Sequence, residues 1–600
     1  MKSVWMVCAV LFLATALVGQ TSTATKPKKA KAAALTSSDV QALRDAIAAQ
    51  QAALAQQQKE IQELRDELHR KDETVQQAQT AAADAAGKAD AAQAQSAQQQ
   101  QTVTELKSDV TDLKTGMANT VVSLQEAQKQ ISEPPTTLHV KGITLTPGGF
   151  LAAEFVRRSR ALGSDINTPF NSLTMPGASA SSVSEFFGSG RQSRVSMLAE
   201  GRLKSAKVSG YVEADFLSAA VTSNNNESNS YSLRQRQAWG QAAFDNGWTF
   251  TGGQMWSLVT ETKHGVDNRT EALPMTIDPQ YHVGFSWARQ YGLRLSKNFN
   301  NKVWLAVSME NSQATVTTHN NGANFLIGSA GAGGGLYNLN ANYSFNPSPD
   351  IIAKLAFEPG FGHYEIFGVY SRFRDRVFPC GEASATFPCG PAGANTAPNS
   401  AGAYNSSTNG GGFGANARWS FDKKRIDFGL HGFGGSGVGR YGTGGLPDAS
   451  VRADGTLDLV KSLQGLTTLE WHGPKMDIYL NAGAEYASRT AGFDPITGKY
   501  VGYGSPNFPN VGCFTEAVPG SGGFAPGSLA NCTADTRVLI EGTAGFWFNI
   551  YNGAKEKVNR GRVTWGPQFS YVDRNTWSGA GGEPHGLDAM VFTSFRYYLP

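Results

Sequence analysis

Two hydrophobic periods divide the chain. Between Val40 and Ile131 apolar residues return every seventh position; beyond Lys141 they return every second. In the first stretch Val40, Ile47, Leu54, Ile61, Leu68, Val75, Ala82, Ala89, Ser96, Val103, Val110, Met117, Leu124 and Ile131 share one heptad position, and thirteen of these fourteen are apolar. The position three residues on, from Leu43 to Ala127, is apolar in eight of thirteen cases. A stripe of this length, set among Gln, Lys, Asp and Glu, stays dry only against another helix. Residues 36–133 are therefore expected to form an α-helical coiled-coil stalk that joins copies of the chain, with a disordered Ala/Gln linker as the alternative for 78–101. A continuous helix from Val40 to Ile131 would reach roughly 140 Å. Ile and Val at one core position with Leu at the other favour two strands, but Leu54, Leu68 and Leu124 break that rule and leave the strand number open. Pro134 and Pro135 stop the helix, since neither supplies a helical N–H.

The period of two carries a different element. Val208, Gly210, Val212, Ala214 and Phe216 alternate with Ser209, Tyr211, Glu213 and Asp215; Val563, Trp565, Phe569 and Tyr571 alternate with Arg562, Thr564, Gln568 and Ser570. One apolar and one polar face, repeated over a long chain, suits a sheet with lipid on one side and water on the other. Charges are too frequent on the polar faces for the dry interior of a sandwich. Strands are expected near 148–158, 189–203, 206–217, 231–244, 247–258, 280–295, 301–313, 350–359, 363–376, 410–422, 425–436, 464–471, 474–486, 535–549, 558–572 and 587–599. Gaps after even-numbered strands are short and the others long, which is how outer-membrane barrels are built. The expected fold is an all-β transmembrane barrel of about 16 antiparallel strands over 137–600, within a range of 14 to 18, with Tyr337–Phe345 assigned to a loop hairpin.

Composition sharpens the division. Of 61 aromatic residues 59 lie beyond Val140, as do 64 of 67 glycines. The first 24 residues read as a secretory signal: Lys2, an apolar run from Val4 to Val18 broken only by Thr15, then small residues for cleavage. That run falls short of a spanning helix. With Cys8 removed, four cysteines remain, and their loop-local spacing in an exported chain predicts disulfides Cys380–Cys389 and Cys513–Cys532 rather than zinc sites. A net charge of +3 gives no footprint for nucleic acid. Gly432–Gly437 matches G-x-G-x-x-G, but no helix follows it, so no cofactor is expected. His282 and His431 fall singly on the water-facing parity, and no catalytic or metal-ligand motif occurs. An outer-membrane hydrolase would have to draw Ser, His and an acid from separate strands.

The remaining chemistry is charge. Strand parity places Arg194, Arg202, Glu213, Asp215, Arg234, Arg236, Arg294, Arg372, Arg374 and Arg376 on the lumen wall, with Phe367, Val369 and Phe373 outward. A loop near 259–279 adds Glu261, Asp267, Glu271 and Asp278 beside Lys263, His264 and Arg269. Any one charge merely hydrates the wall, but an excess of arginine around a narrow bore selects anions.

The run Leu233–Gly240 (LRQRQAWG), followed by Gly253–Ser257 (GQMWS), resembles paired strands before the inward third loop of the trimeric outer-membrane porins of the DcaP-like group. The order of signal, coiled coil and barrel resembles that group too. The resemblance implies a Gram-negative outer-membrane location with a periplasmic stalk, a trimer, and passive diffusion of small, often anionic solutes through each barrel. The C-terminal Tyr598-Leu599-Pro600 departs from the terminal aromatic common in such barrels. A second function is a structural tether, in which the barrel anchors a stalk that grips peptidoglycan.

Overall fold

The computed structural model describes residues 137–600 apart from 219–230, 313, 318–323, 326–343, 382–388, 390–396, 496–497, 517–531 and 554–559. The expected signal (1–24) and coiled coil (36–133) lie outside the described residues, as does most of the hairpin expected at 337–345.

Sixteen antiparallel strands close into a barrel. They are β1 (Ile143–Arg158), β2 (Arg194–Arg202), β3 (Ala206–Asp215), β4 (Arg234–Phe244), β5 (Trp248–Trp256), β6 (Arg289–Phe299), β7 (Val303–Glu310) and β8 (Asp350–Phe357). The second half comprises β9 (His363–Val377), β10 (Tyr404–Phe421), β11 (Ile426–Ser436), β12 (Lys461–His472), β13 (Met476–Ala487), β14 (Thr536–Asn552), β15 (Arg562–Thr576) and β16 (His585–Tyr598). Each pairs with its sequence neighbours, and β1 meets both β2 and β16, so no edge remains among them. Two short segments, Leu138–Val140 and Glu185–Ser189, add to β1 without interrupting that closure.

The alternation lands as the pleat requires. Leu293 and Leu295 of β6, Leu305, Val307 and Met309 of β7, and Ile351 and Leu355 of β8 all face outward and are exposed. Phe244, Trp248, Phe299, Phe357, Phe361, Phe421 and Trp471 form an exposed aromatic girdle at the rim of short turns. Those turns place Asn300, Asn301, Asp422, Lys423 and Lys424 in the left-handed region, a conformation that tight connections need and Asn and Asp tolerate. No described helix is long and apolar enough to cross a membrane, which says nothing of a β-barrel.

Two boundaries differ from expectation by more than five residues. The strand expected at 280–295 begins at Arg289, because residues up to Ala288 belong to the inward loop. The strand expected at 410–422 begins six residues earlier, at Tyr404. There β9 and β10 rise as a two-stranded arm beyond their neighbours: β8 reaches only Tyr370 on one side and β11 only Gly411 on the other. Both disulfides, Cys380–Cys389 and Cys513–Cys532, are formed in the long loops after β9 and β13.

Candidate functional site: the bore and its inward loop

Residues 257–288, between β5 and β6, fold into the barrel rather than over it. The loop's backbone N–H groups donate to inward carboxylates all round the wall: Leu258 to Glu310, Thr262 to Glu365, Val283 to Glu541 and Gly284 to Glu485. Ile277 N–H donates to Gln568, and Trp547 Nε1 donates to the Met275 carbonyl. Inward Glu and Gln side chains thus satisfy a loop that carries its own unpaired donors into a confined space. The approach is close where the loop meets β13: a Cβ on Gly483 would lie 1.9 Å from the Val283 carbonyl oxygen. Gly284 has φ +87°, a conformation strained for any other residue.

Several expected pore residues gather on the wall of β2 to β4. Arg236 is buried between Glu213 (2.6 Å) and Asp215 (2.7 Å) and donates to the Tyr281 hydroxyl, pinning the loop. Arg234 grips Asp215 with two nitrogens and keeps a partly open face, while Arg194 stands 3.7 Å from Glu213. Arg269, on the loop at φ +70°, lies 5.0 Å over the Tyr211 ring. Arg294 points inward as expected but serves the loop, donating to Asn268 and to the Trp256 carbonyl. Arg202 pairs with Asp245 at the short-turn rim, away from the constriction. Lys263 lines a cavity of about 480 Å³ at that same rim with Lys302, Lys424, Glu358, Arg418 and Asp427.

A second cavity, of about 270 Å³, lies between the loop segment Leu273–Thr276 and the wall. Arg194, Arg562 and Arg596 line it, against one carboxylate, Asp477. Asp477 is itself 3.0 Å from His472 Nδ1. Arg596 is held by Glu154 (2.8 Å) and lies 4.6 Å from the Trp547 ring, whereas Arg562 rests over Tyr598 at 4.3 Å. Arg562 and Arg596 were not among the expected site residues, although both sit on the water-facing parity of the last two strands.

The arginine ladder of β9 is a correction. Arg372, Arg374 and Arg376 share the outward parity of Ile366 and Tyr370, and Phe367, Val369 and Phe373 are the buried inward residues. Outside the barrel's lipid-facing zone the inner face of the arm is roofed by loops. Phe373 packs there with Val316, Phe325, Phe345, Ala449, Val451 and Leu457, a dry cluster that takes the aromatic and turns the arginines out. His282, expected on a strand, belongs to the loop. It is fully buried, with Nδ1 2.8 Å from the Val283 carbonyl, and burial pulls its pKa down to about 4. Asp278, also on the loop, is pushed up to about 7 by burial.

Two clusters have the look of other chemistry. Ser286 Oγ is 2.9 Å from His431 Nε2, and Asn416 Oδ1 meets His431 Nδ1. Ser286 is only 1 % exposed and also accepts from Gln464, so the set latches the loop to β11 and β12 and leaves no attack path for a nucleophile. Asp427, Glu470 and His472 bring ligand atoms within 4.8 Å at the short-turn rim. The charges of Lys263 and Arg418 act on the Glu470 carboxylate there, so the group is accounted for as an ion-pair cluster.

No family model matches the chain, and neither does any curated protein sequence. Among solved structures the chain is similar to the outer membrane channel DcaP of Acinetobacter baumannii, with a TM-score of 0.51, 13% identity, and coverage of 77% of this chain and 99% of that one. An anion-selective porin from Comamonas acidovorans aligns at TM-score 0.38 and 10% identity over 76% of this chain and 100% of that one. Outer-membrane expressed OmpT of Vibrio cholerae aligns at 0.39 and 9%, over 77% and 99%. The likeness to DcaP is one of fold.

Proposed function

We propose that the chain is an outer-membrane porin of a Gram-negative bacterium, passing small hydrophilic anions, carboxylates among them, by passive diffusion. The observation that carries this reading is the cavity beside the inward loop, lined by Arg194, Arg562 and Arg596 with Asp477 as its one lining carboxylate; Glu213 and Glu154 approach Arg194 and Arg596 from the wall, and Arg562 lies on the Tyr598 ring. Charge around a narrow, low-dielectric bore focuses potential, and screening over about 10 Å at 0.1 M salt leaves it effective at such a constriction. The resemblance to the DcaP-like group supports the same reading, and DcaP itself is described as a channel. The heptad stretch 36–133 supports assembly of barrels through a periplasmic coiled coil, and the resemblance to the DcaP-like group implies that the assembly is a trimer. The same stalk favours the second reading, a tether between outer membrane and peptidoglycan. Conductance of the full chain in a planar bilayer separates them: a porin passes current and gives a reversal potential of anionic sign across a salt gradient, and a pure tether passes none.

A further inference from the structure

The outward ladder of Arg372, Arg374 and Arg376 plays no part in the bore, and its setting points to a ligand. Two positions below Arg372 stands Tyr370, and below that Ile366; both are outward and 48 % exposed, so the ladder begins just above the apolar band. At about 3.3 Å per residue, the three guanidinium stems span roughly 13 Å along the strand. A bilayer's headgroup zone is roughly 5–8 Å deep on each side, so a tilted strand carries Arg372 and Arg374 through it.

Among the described residues the ladder faces no acid. Its cross-strand partners are Asn409, Ser407 and Asn405, which share its outward face. Arg376 donates to Asn405 Oδ1, Tyr370 donates to Asn409 Oδ1, and Asp375 points the other way, buried under the loops. Among the described residues none of the three arginines forms an ion pair. By contrast Arg158, Arg191, Arg202, Arg234, Arg236, Arg418, Arg440, Arg452, Arg537 and Arg596 each meet a carboxylate. The connection 378–403 contains a single acidic residue, Glu382. Three guanidinium groups without a carboxylate partner among the described residues, on one rigid, paired strand face at lipid headgroup height, match phosphate monoesters, which arginine binds with two parallel N–H bonds.

We propose that Arg372, Arg374 and Arg376, with Asn405, Ser407 and Asn409 as hydrogen-bonding neighbours, form a binding site for the phosphate groups of an outer-leaflet glycolipid. The site lies on the outer wall of the β9–β10 arm, fixes the barrel's height in the membrane, and is independent of what the bore conducts.

The test uses the purified full chain and an Arg372→Gln/Arg374→Gln/Arg376→Gln variant, with heat-modifiable migration as the check on folding. Each is offered bis-phosphorylated lipid A, dephosphorylated lipid A, or inorganic phosphate, and retained ligand is read by native mass spectrometry. At roughly fivefold per arginine near a charged surface, the triple variant should bind bis-phosphorylated lipid A about a hundredfold more weakly, and an all-lysine variant should fall between. Equal retention by wild type and the Gln variant overturns the site. Binding of dephosphorylated lipid A as strong as that of the phosphorylated form overturns it too, as does inorganic phosphate alone displacing the lipid at equal concentration. A crosslink from Arg374→Cys to a second copy, in place of lipid, would show a protomer contact instead. Should the triple variant fail to fold, Arg374→Glu alone must still lower retention.

Discussion

Arg234 and Arg236 on β4 and Arg372, Arg374 and Arg376 on β9 share one sequence pattern, arginine at every second position of an amphipathic strand, yet they face opposite sides of the wall. On β4 the arginines point inward and meet Glu213 and Asp215 from the next strand. On β9 they point outward and meet no carboxylate among the described residues, while Phe373 takes the inner face. The pleat is the same in both; the solvent on each side is not. Within the membrane the outside is apolar and the inside wet. On the protruding arm the outside is wet and the inside is a dry core beneath loops. Alternation reports two faces, and the strand's height in the bilayer decides which of them is apolar.

The largest difference between the two sets should appear in stability. Arg236→Ala removes the buried guanidinium that bridges Glu213 and Asp215, leaving Glu213 without its hydrogen-bonded arginine and Asp215 with Arg234 only, and should destabilise the barrel by about 3–5 kcal/mol. Arg374→Ala, on the open arm, should stay within about 0.5 kcal/mol. Denaturant unfolding of the two variants in one detergent measures both; equal losses would erase the distinction.

Next comes the loop those inward groups hold. Gly483→Val drives a side chain into the Val283 carbonyl, 1.9 Å from where its Cβ would sit. Overpacking of this kind costs about 1–3 kcal/mol. Here it should lift the loop from β13, raising single-channel conductance while the barrel stays closed, as checked by bilayer recording. An unchanged conductance would mean that the loop does not restrict the path.

Much of this was legible in the sequence. All sixteen strands follow from the period of two, and the disposition of short turns and long loops follows from the gaps. The inward loop was legible only in part. Tyr281, Val283, Phe285 and Trp287 alternate with His282, Gly284 and Ser286, a strand's pattern on a segment that is not a strand. Inside a bore a loop is enclosed on both sides. Its apolar residues pack on Trp256 and Leu466 and its polar ones reach the wall, so it acquires the same alternation. The start of β10 was missed for the converse reason: Tyr404–Gly410 (YNSSTNG) lies beyond the apolar band and needs no apolar face. Arg562 and Arg596 carried a readable signal, their polar parity on β15 and β16, but their cavity depends on where the loop comes to rest.

A smaller effect concerns pH. Asp278 of the loop is buried, with N–H donors from Thr168 and Gln280, and with Glu541 and Arg158 as the nearby charges; burial holds its pKa near 7. The folded protein then keeps a proton that the unfolded chain, titrating near 4, releases. Stability should therefore fall as pH rises from about 4 to about 7 and level off above that. Asp278→Asn should flatten this part of the profile, as read from unfolding midpoints at pH 4.5 and 8; an unchanged slope would remove Asp278 from the account.

The central claim is that arginines facing the bore, and not those facing outward, set its preference for anions. Reversal potentials across a tenfold KCl gradient should be compared for the full chain, for Arg194→Glu/Arg562→Glu, and for Arg372→Glu/Arg374→Glu. The account predicts an anion-preferring wild type, a shift toward cations in the first variant, and a wild-type potential in the second. A cation-preferring wild type, or a shift produced by the outward pair and not the inward one, would contradict it.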